Sequence, residues 1–293
     1  MVRWIAVAGL LLTGVLIATT ILTAYSQSGS IDDARTYRYR YRPLQMGTQI
    51  EIFLTRRCSL GFPAYYERVV GDRIYVHYGV VTASHCGNRT LGWVYQNATG
   101  ANNYIGYFRE EGRYYDSRER IADPNIPVDA AFIEVEWYTY SPGSPRPRPQ
   151  IVDNLLHELG ITWRITDYLS DERTLWDIVR RDARVIKAGR TTGFEAGYII
   201  PCTVDSIACQ VNGEWVFFIF AYGAPGDSGG LIYWNYTVRT PRDIQIRYMG
   251  LGITVGILPI DCITVNGVTM CRLTVGNLLY NITRVLGVTP YRG

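Results

Sequence analysis

Gly226-Asp227-Ser228-Gly229-Gly230 carries the sharpest chemical signature in this sequence. A serine hydroxyl becomes a useful nucleophile when a tight turn exposes it and leaves neighbouring backbone N–H groups free to hold an oxyanion. Such a serine also needs a base, and the sequence has three histidines, His77, His85 and His157. His85 lies in Val80-Val-Thr-Ala-Ser-His-Cys86, at the end of an apolar strand and beside a cysteine that would pin it, and is the best base. His77 alternates with apolar neighbours in a strand and reads as structural. His157, in His-Glu-Leu-Gly, lacks the second histidine four residues on that a zinc-binding helix requires, so neither a metal nor another cofactor is expected. Among the aspartates between His85 and Ser228, only Asp129, in Val128-Asp-Ala-Ala-Phe-Ile133, heads an apolar strand where a carboxylate would be buried. A buried carboxylate can fix the imidazole tautomer and stabilise the imidazolium. Alone, Asp129 would read as a turn residue; beside His85 and Ser228 it completes a triad.

Chain order decides between arrangements. Gly-x-Ser-x-Gly also fits the nucleophile elbow of α/β-hydrolases, but there the histidine follows the serine, and all three histidines here precede Ser228. The order Asp, His, Ser is open to Asp72, His85 and Ser228, yet the β-rich texture does not suit the α/β fold that uses it. The order His, Asp, Ser remains.

The elements that must position these residues are mostly strands. Hydrophobic residues make up 47% and charged residues 19%, below the roughly 25% charge of ordinary soluble domains, while 29 Gly and 13 Pro mark frequent turns. Short apolar or alternating runs recur over 48–140 and predict a β domain. Ser141-Pro-Gly-Ser-Pro-Arg-Pro-Arg-Pro149 then reads as a stiff linker. Leu155, Leu156 and Leu159, followed by Leu175, Ile178 and Val179, have helical spacing, so 141–182 is expected to be a linker and helical insertion, with Ser170 capping the second helix. Strand texture resumes near Val185, defining a second β domain over 183–293. Net charge is +3, too small to make nucleic acid the expected partner. The basic set is nonetheless lopsided: of 29 Lys and Arg residues only Lys187 is a lysine.

Residues 4–25 are apolar and uncharged, long enough to span a bilayer, so 1–26 reads as a signal anchor; Ala24-Tyr25-Ser26 offers a signal-peptide cleavage site as the competing reading. Residues 27–47 then form a tether whose Tyr37-Arg-Tyr-Arg-Tyr-Arg42 alternation suits a solvated stalk, an edge strand or an anionic surface. The arginines after the hydrophobic segment oppose export by the positive-inside rule. The cysteines favour it: Cys58, Cys86, Cys202, Cys209, Cys262 and Cys271 form an even set without Cys-x-x-Cys spacing, which suits disulfides outside the cell. Asn266-Gly267 is a type I′ hairpin signal, and folding about it sets Cys262 opposite Cys271 at about 4.5 Å between Cα atoms. Cys202 and Cys209 bracket another expected hairpin, leaving Cys58 for Cys86. Sequons at Asn88, Asn97, Asn235 and Asn281 agree with export.

Thr82-Ala-Ser-His-Cys86, the aspartate opening a strand and Gly226-Asp-Ser-Gly-Gly230 together resemble the chymotrypsin-like serine peptidases. Arg57-Cys-Ser-Leu-Gly-Phe62 and Lys187-Ala-Gly-Arg-Thr-Thr-Gly193 are similar to the streptogrisin and α-lytic branch. The resemblance covers about 48–140 and 183–285. It implies an all-β chain of two six-stranded antiparallel β-barrels, here with a helical insertion and an N-terminal hydrophobic helix. It also implies polypeptide substrates, a triad of His85, Asp129 and Ser228 in the cleft between the barrels, and an oxyanion hole from the Gly226 and Ser228 N–H groups. A specificity pocket would involve Tyr222, Val255, Gly256 and Ile257. Val255 stands where a serine commonly supports the catalytic aspartate, so Asp129 needs another donor, and Ile257 in place of a glycine narrows the pocket. Cysteines common in the branch are replaced by Ile186, Ala196 and Tyr222. Lys187 falls where the branch has a basic residue paired with the aspartate before the nucleophile, here Asp227. A catalytically silent domain of the same fold, binding at the cell surface, is the alternative; the presence of all three triad residues stands against it.

Overall fold

The runs that alternate in sequence alternate in space: Gly193–Ile200 buries every second residue down most of its length, as a strand with one face on a core must. The computed structural model describes residues 33–293 apart from 53–55, 88–91, 98–99, 109–127, 212 and 242. The expected hydrophobic helix, the membrane contact through 4–25 and the Asn88 sequon lie outside the described residues. Within them no helix is long and apolar enough to cross a membrane.

The chain is all-β, with two large antiparallel sheets that each close on themselves. In the first, Gln49–Ile52 pairs with Arg56–Ser59 and with Trp93–Gln96, and the order continues through Tyr104–Phe108, Ala131–Tyr140, Arg73–Thr82 and Pro63–Val70. Because Arg56–Ser59 runs on through Leu60–Phe62 into Pro63–Val70, one continuous segment joins both edges and makes a barrel of six. In the second, Val185–Gly189, Gly193–Ile200, Glu214–Gly223, Val268–Leu278, Ile244–Val265 and Leu231–Arg239 pair in that order, and the last returns to the first. Closure removes the unpaired edges that an open sheet would expose.

The linking stretch departs from the expected helical insertion. Leu155–Glu158 and Ile161–Arg164 form a hairpin, and Gln45–Met46 joins it in parallel. Leu159 and Gly160 both have positive φ, 50° and 80°; an apolar spacing of i, i+1, i+4 fits a tight turn after a strand as well as a helix, and Gly160 favours the turn. The one helix in this stretch, Glu172–Arg180, is capped by Asp171, whose Oδ1 accepts from the Thr174 N–H at 3.0 Å. Ser170 instead donates to Asp171 Oδ2; the ionised acceptor next in the chain takes the cap. Residues 33–46 are no solvated tether. Tyr37, Leu44 and Met46 are fully buried, so their aromatic and aliphatic surface outweighs the intervening arginines. His157, buried, bonds to Gln45 and Thr36 and packs edge-on against Tyr37.

Strand texture near the C-terminal end also hid a helix, Leu279–Leu286. After it, Thr289–Pro290 crosses back to pair with Ala64–Tyr65 of the first barrel. Asn281 lies in this helix and is buried, so its sequon cannot carry a glycan in the folded chain, whereas Asn97 and Asn235 are exposed.

Three disulfides join Cys58 to Cys86, Cys202 to Cys209 and Cys262 to Cys271. Around the Asn266-Gly267 turn, Val265 faces Val268 and Cys262 faces Cys271, with Cα atoms 4.0 Å apart.

Candidate active site

His85 sits in a single 3-10 turn, Ser84–Cys86, at the end of strand Arg73–Thr82. The turn is held on one side by the Cys58–Cys86 bridge and on the other by Arg56, whose Nη1 donates to the carbonyls of His85 and Gly87 at 3.1 and 3.2 Å. Asp129 leads into strand Ala131–Tyr140, which pairs with the strand before His85, so two neighbouring strands deliver imidazole and carboxylate to one end of the barrel. Asp129 Oδ2 lies 2.5 Å from His85 Nδ1. Its other oxygen accepts from Ser84 Oγ at 2.5 Å and from the His85 backbone N–H at 3.0 Å. Ser84 is thus the additional donor that Val255 cannot be. The second barrel contributes as well: Asn277 Oδ1 accepts from the Asp129 N–H, while Asn277 Nδ2 donates to the Trp215 carbonyl.

Burial is the largest single influence on both members of this pair and disfavours charge on each. It is outweighed by their mutual attraction and hydrogen bond, so Asp129 is held below the usual carboxylate range and His85 is raised above ordinary histidine. Glu214, beside Trp215, adds a second carboxyl that the sequence did not flag. Burial and then Asp129 push it up to about 7, and its charge in turn raises His85.

Ser228 comes from the second barrel on the loop between strands Glu214–Gly223 and Leu231–Arg239. Gly229 holds the loop in shape with φ +85°: its N–H donates to the Thr254 carbonyl at 2.6 Å, and a Cβ there would lie 2.0 Å from Thr82 Oγ1. The loop is also clamped to the first barrel by hydrogen bonds. Ser59 N–H donates to the Ser228 carbonyl at 2.8 Å, and Ser59 Oγ donates to the Gly226 carbonyl at 2.9 Å. The Ser228 carbonyl also lies 3.9 Å from Cys86 Sγ, which sets the serine beside the residue after His85. Among the described residues, the Gly226 and Ser228 N–H groups donate to nothing, the state an oxyanion site requires. No hydrogen bond joins Ser228 Oγ to the His85 ring there.

Asp227, between these two N–H groups, points into the barrel. Its Oδ2 accepts from Lys187 Nζ at 2.8 Å, Thr192 Oγ1 at 2.7 Å and the Ala224 N–H at 3.1 Å, and its Oδ1 accepts from the Thr191 and Thr192 N–H groups. Lys187 also donates to Thr192 Oγ1. Both charged side chains are fully buried.

Tyr222, Val255, Gly256 and Ile257 are all half-buried. A Cβ at Gly223 would lie 2.6 Å from Ile257 Cγ2, so Ile257 packs against the strand that carries Tyr222. The Arg272 guanidinium lies 5.1 Å from the Tyr222 ring centroid and pairs with Asp261 at 2.9 Å. Thr254, next to Val255, has a buried hydroxyl without a partner.

His77 is kept from the site by its own partners, Glu134 at 3.0 Å and a stacked Tyr66. The cluster of Cys58, His85 and Cys86 has metal-like proximity, but both sulfurs are consumed by their disulfide and cannot act as thiolate ligands.

Among the solved structures similar in shape to this chain are three proteases. A glutamic acid specific serine protease has a TM-score of 0.48 at 18% identity, covering 85% of this chain and 100% of its own. Thermobifida fusca protease A has 0.49 at 17%, covering 85% and 99%. Cellulomonas bogoriensis chymotrypsin has 0.47 at 18%, covering 85% and 98%. No family model matches the chain, and no curated protein does.

Proposed function

We propose that this chain is an exported serine endopeptidase of the chymotrypsin-like type. Ser228 Oγ attacks the scissile carbonyl while His85 Nε2 takes the hydroxyl proton and Asp129 holds Nδ1–H and stabilises the imidazolium. The tetrahedral oxyanion accepts from the Gly226 and Ser228 N–H groups. His85 then gives its proton to the departing amine; water, deprotonated by His85, attacks the acyl ester and releases the acid and free Ser228. The carrying observation is the His85–Asp129 contact, seated where the Ser228 loop is clamped between the two barrels. Three disulfides support an oxidising destination. A fluorophosphonate probe should label the folded protein and leave Ser228→Ala unlabelled; no labelling, or equal labelling of both, overturns the proposal.

Proton transfer predicts the pH dependence. Hydrolysis needs neutral His85, so kcat/KM should rise with pH through an apparent pKa above that of an ordinary histidine. Glu214→Gln removes a negative charge that raises His85, so the acid limb should move to lower pH. An unmoved limb would show that Glu214 does not couple to the base.

The packing of Ile257 against Gly223, on the strand that carries Tyr222, supports a shallow pocket, and Arg272 beside Tyr222 is a cation rather than an acidic pocket base. Peptide anilides ending in alanine or leucine should therefore be cleaved faster than arginyl or lysyl ones. Faster arginyl hydrolysis would refute this pocket.

A further inference from the structure

Behind Gly226, on the face of the nucleophile loop turned toward Ser59, several arginines converge. Arg190 donates its backbone N–H to Ser59 Oγ, the same oxygen that donates to the Gly226 carbonyl. Its side chain then folds over Gly226 so closely that a Cβ there would lie 2.6 Å from Arg190 Nη1. Arg190 is half-buried, its Nε has no hydrogen-bond partner, and Arg38 Nε beside it is likewise buried and unpartnered. Neither side chain makes an ion pair among the described residues. Arg57 stands next to them, largely exposed.

The charges facing Arg190 are Arg38, Arg57, Asp227 and Glu51. Asp227 is taken up by Lys187 and Thr192, and Glu51 lies 3.6 Å from Arg57. Positive charge is therefore in surplus, and burial followed by the two arginines lowers Arg190 to about 10, still protonated at neutral pH. Holding guanidinium groups together, partly out of water and without acceptors, is unfavourable unless an anion completes them.

Resting on the proposed peptidase reading, we infer that Arg190, with Arg38 and Arg57, forms a subsite for a carboxylate of the polypeptide substrate on the leaving-group side of the scissile bond. The side follows from the loop's two neighbours. Gly229 N–H donates to the Thr254 carbonyl, next to the Val255–Gly256 segment expected in the specificity pocket, whereas Arg190 lies over Gly226 and bonds the Ser59 hydroxyl that holds it, so the arginines crowd the Gly226 end of the loop rather than the end that meets the pocket strand. An acidic side chain one or two residues beyond the cleaved bond would meet Arg190 there.

Internally quenched peptides identical up to the cleaved bond, with Glu, Gln or Lys at the first or second position after it, test this. Wild type should favour Glu over Lys by about tenfold or more in kcat/KM, the size expected for a charge-assisted hydrogen bond. Arg190→Gln should collapse the Glu-to-Gln ratio toward one, and Arg57→Gln, a change at the surface, should lower it in part. Equal turnover of the three peptides, or an unchanged ratio in Arg190→Gln, overturns the subsite. Binding to Ser228→Ala, read by fluorescence anisotropy, separates this from failure of the peptidase reading. There the Glu peptide should bind more tightly than its Gln twin even if no peptide is ever turned over, and equal binding ends the inference.

Discussion

Replacing Ser228 by alanine is expected to lower peptide hydrolysis by about 10^4- to 10^6-fold, because nucleophile and base act as one unit and neither is useful alone. The same reasoning predicts that His85→Ala loses about as much, and that the double variant is little worse than either single one. The fold should survive, since Ser228 is half-exposed and its hydroxyl makes no hydrogen bond among the described residues. Ser84→Ala should fall between: Asp129 loses one donor but keeps the His85 N–H and ring. Single-turnover assays with an activated ester measure these losses. Retention of activity within about tenfold in Ser228→Ala, far short of the loss of a nucleophile, would remove Ser228 from the chemistry.

The second large effect concerns stability. Lys187→Met removes the cation from a pair with no access to water, leaving Asp227 buried with only hydrogen-bond donors around it. Losing one partner of a buried pair costs about 3–5 kcal/mol, against marginal overall stability. Glu195, across the strands from Lys187, has its carboxyl pushed up to about 8 by burial and is mostly neutral at about pH 7, so Asp227 is the charge that Lys187 neutralises.

The sign with pH follows from Asp227. In the wild type burial opposes its charge, but Lys187 and the hydrogen bonds outweigh burial and hold the carboxyl low. Its contribution is therefore present above the unfolded carboxylate value of about 3.9 and is lost only as pH falls through the lower folded value. Without Lys187, burial raises the same group, and the variant loses stability as pH climbs through that raised value. Urea denaturation should thus show a wide gap between wild type and Lys187→Met at about pH 7 that narrows toward about pH 4. Asp227→Asn combined with Lys187→Met should cost less than the sum of the two single changes. A gap independent of pH would mean that the pair is not what holds the loop.

Local chemistry made part of this molecule legible in the sequence. His85, Asp129 and Ser228 each stand in a short context, strand end, strand head or glycine turn, that constrains one backbone position without reference to the rest of the chain. The Asn266-Gly267 hairpin was legible for the same reason, because a two-residue turn fixes its own register. The misread segments are those where two local solutions are equally good. Leu155, Leu156 and Leu159 fit a helix or a strand and turn, and pairing with Ile161–Arg164 and Gln45–Met46 selects the latter. Residues 33–46 looked polar by their arginines, yet Tyr37 and Leu44 found a core supplied from elsewhere. Hardest of all were Ser59, Arg190 and Asn277, whose roles depend on partners more than a hundred residues away. No window of sequence contains such a contact.

The crossing of Thr289–Pro290 onto the first barrel carries a consequence for timing. Tyr291 N–H donates to the Pro63 carbonyl, Asn154 Nδ2 reaches the Arg292 carbonyl, and the Tyr168 hydroxyl donates to the Tyr291 carbonyl. The flank of the barrel that delivers His85 is therefore finished by residues synthesised after every part of the other barrel. The first barrel closes without this strand, so only the pairing on Ala64–Tyr65 waits for the other half to be made. The backbone tie between the two halves is thereby formed only after both barrels have been synthesised.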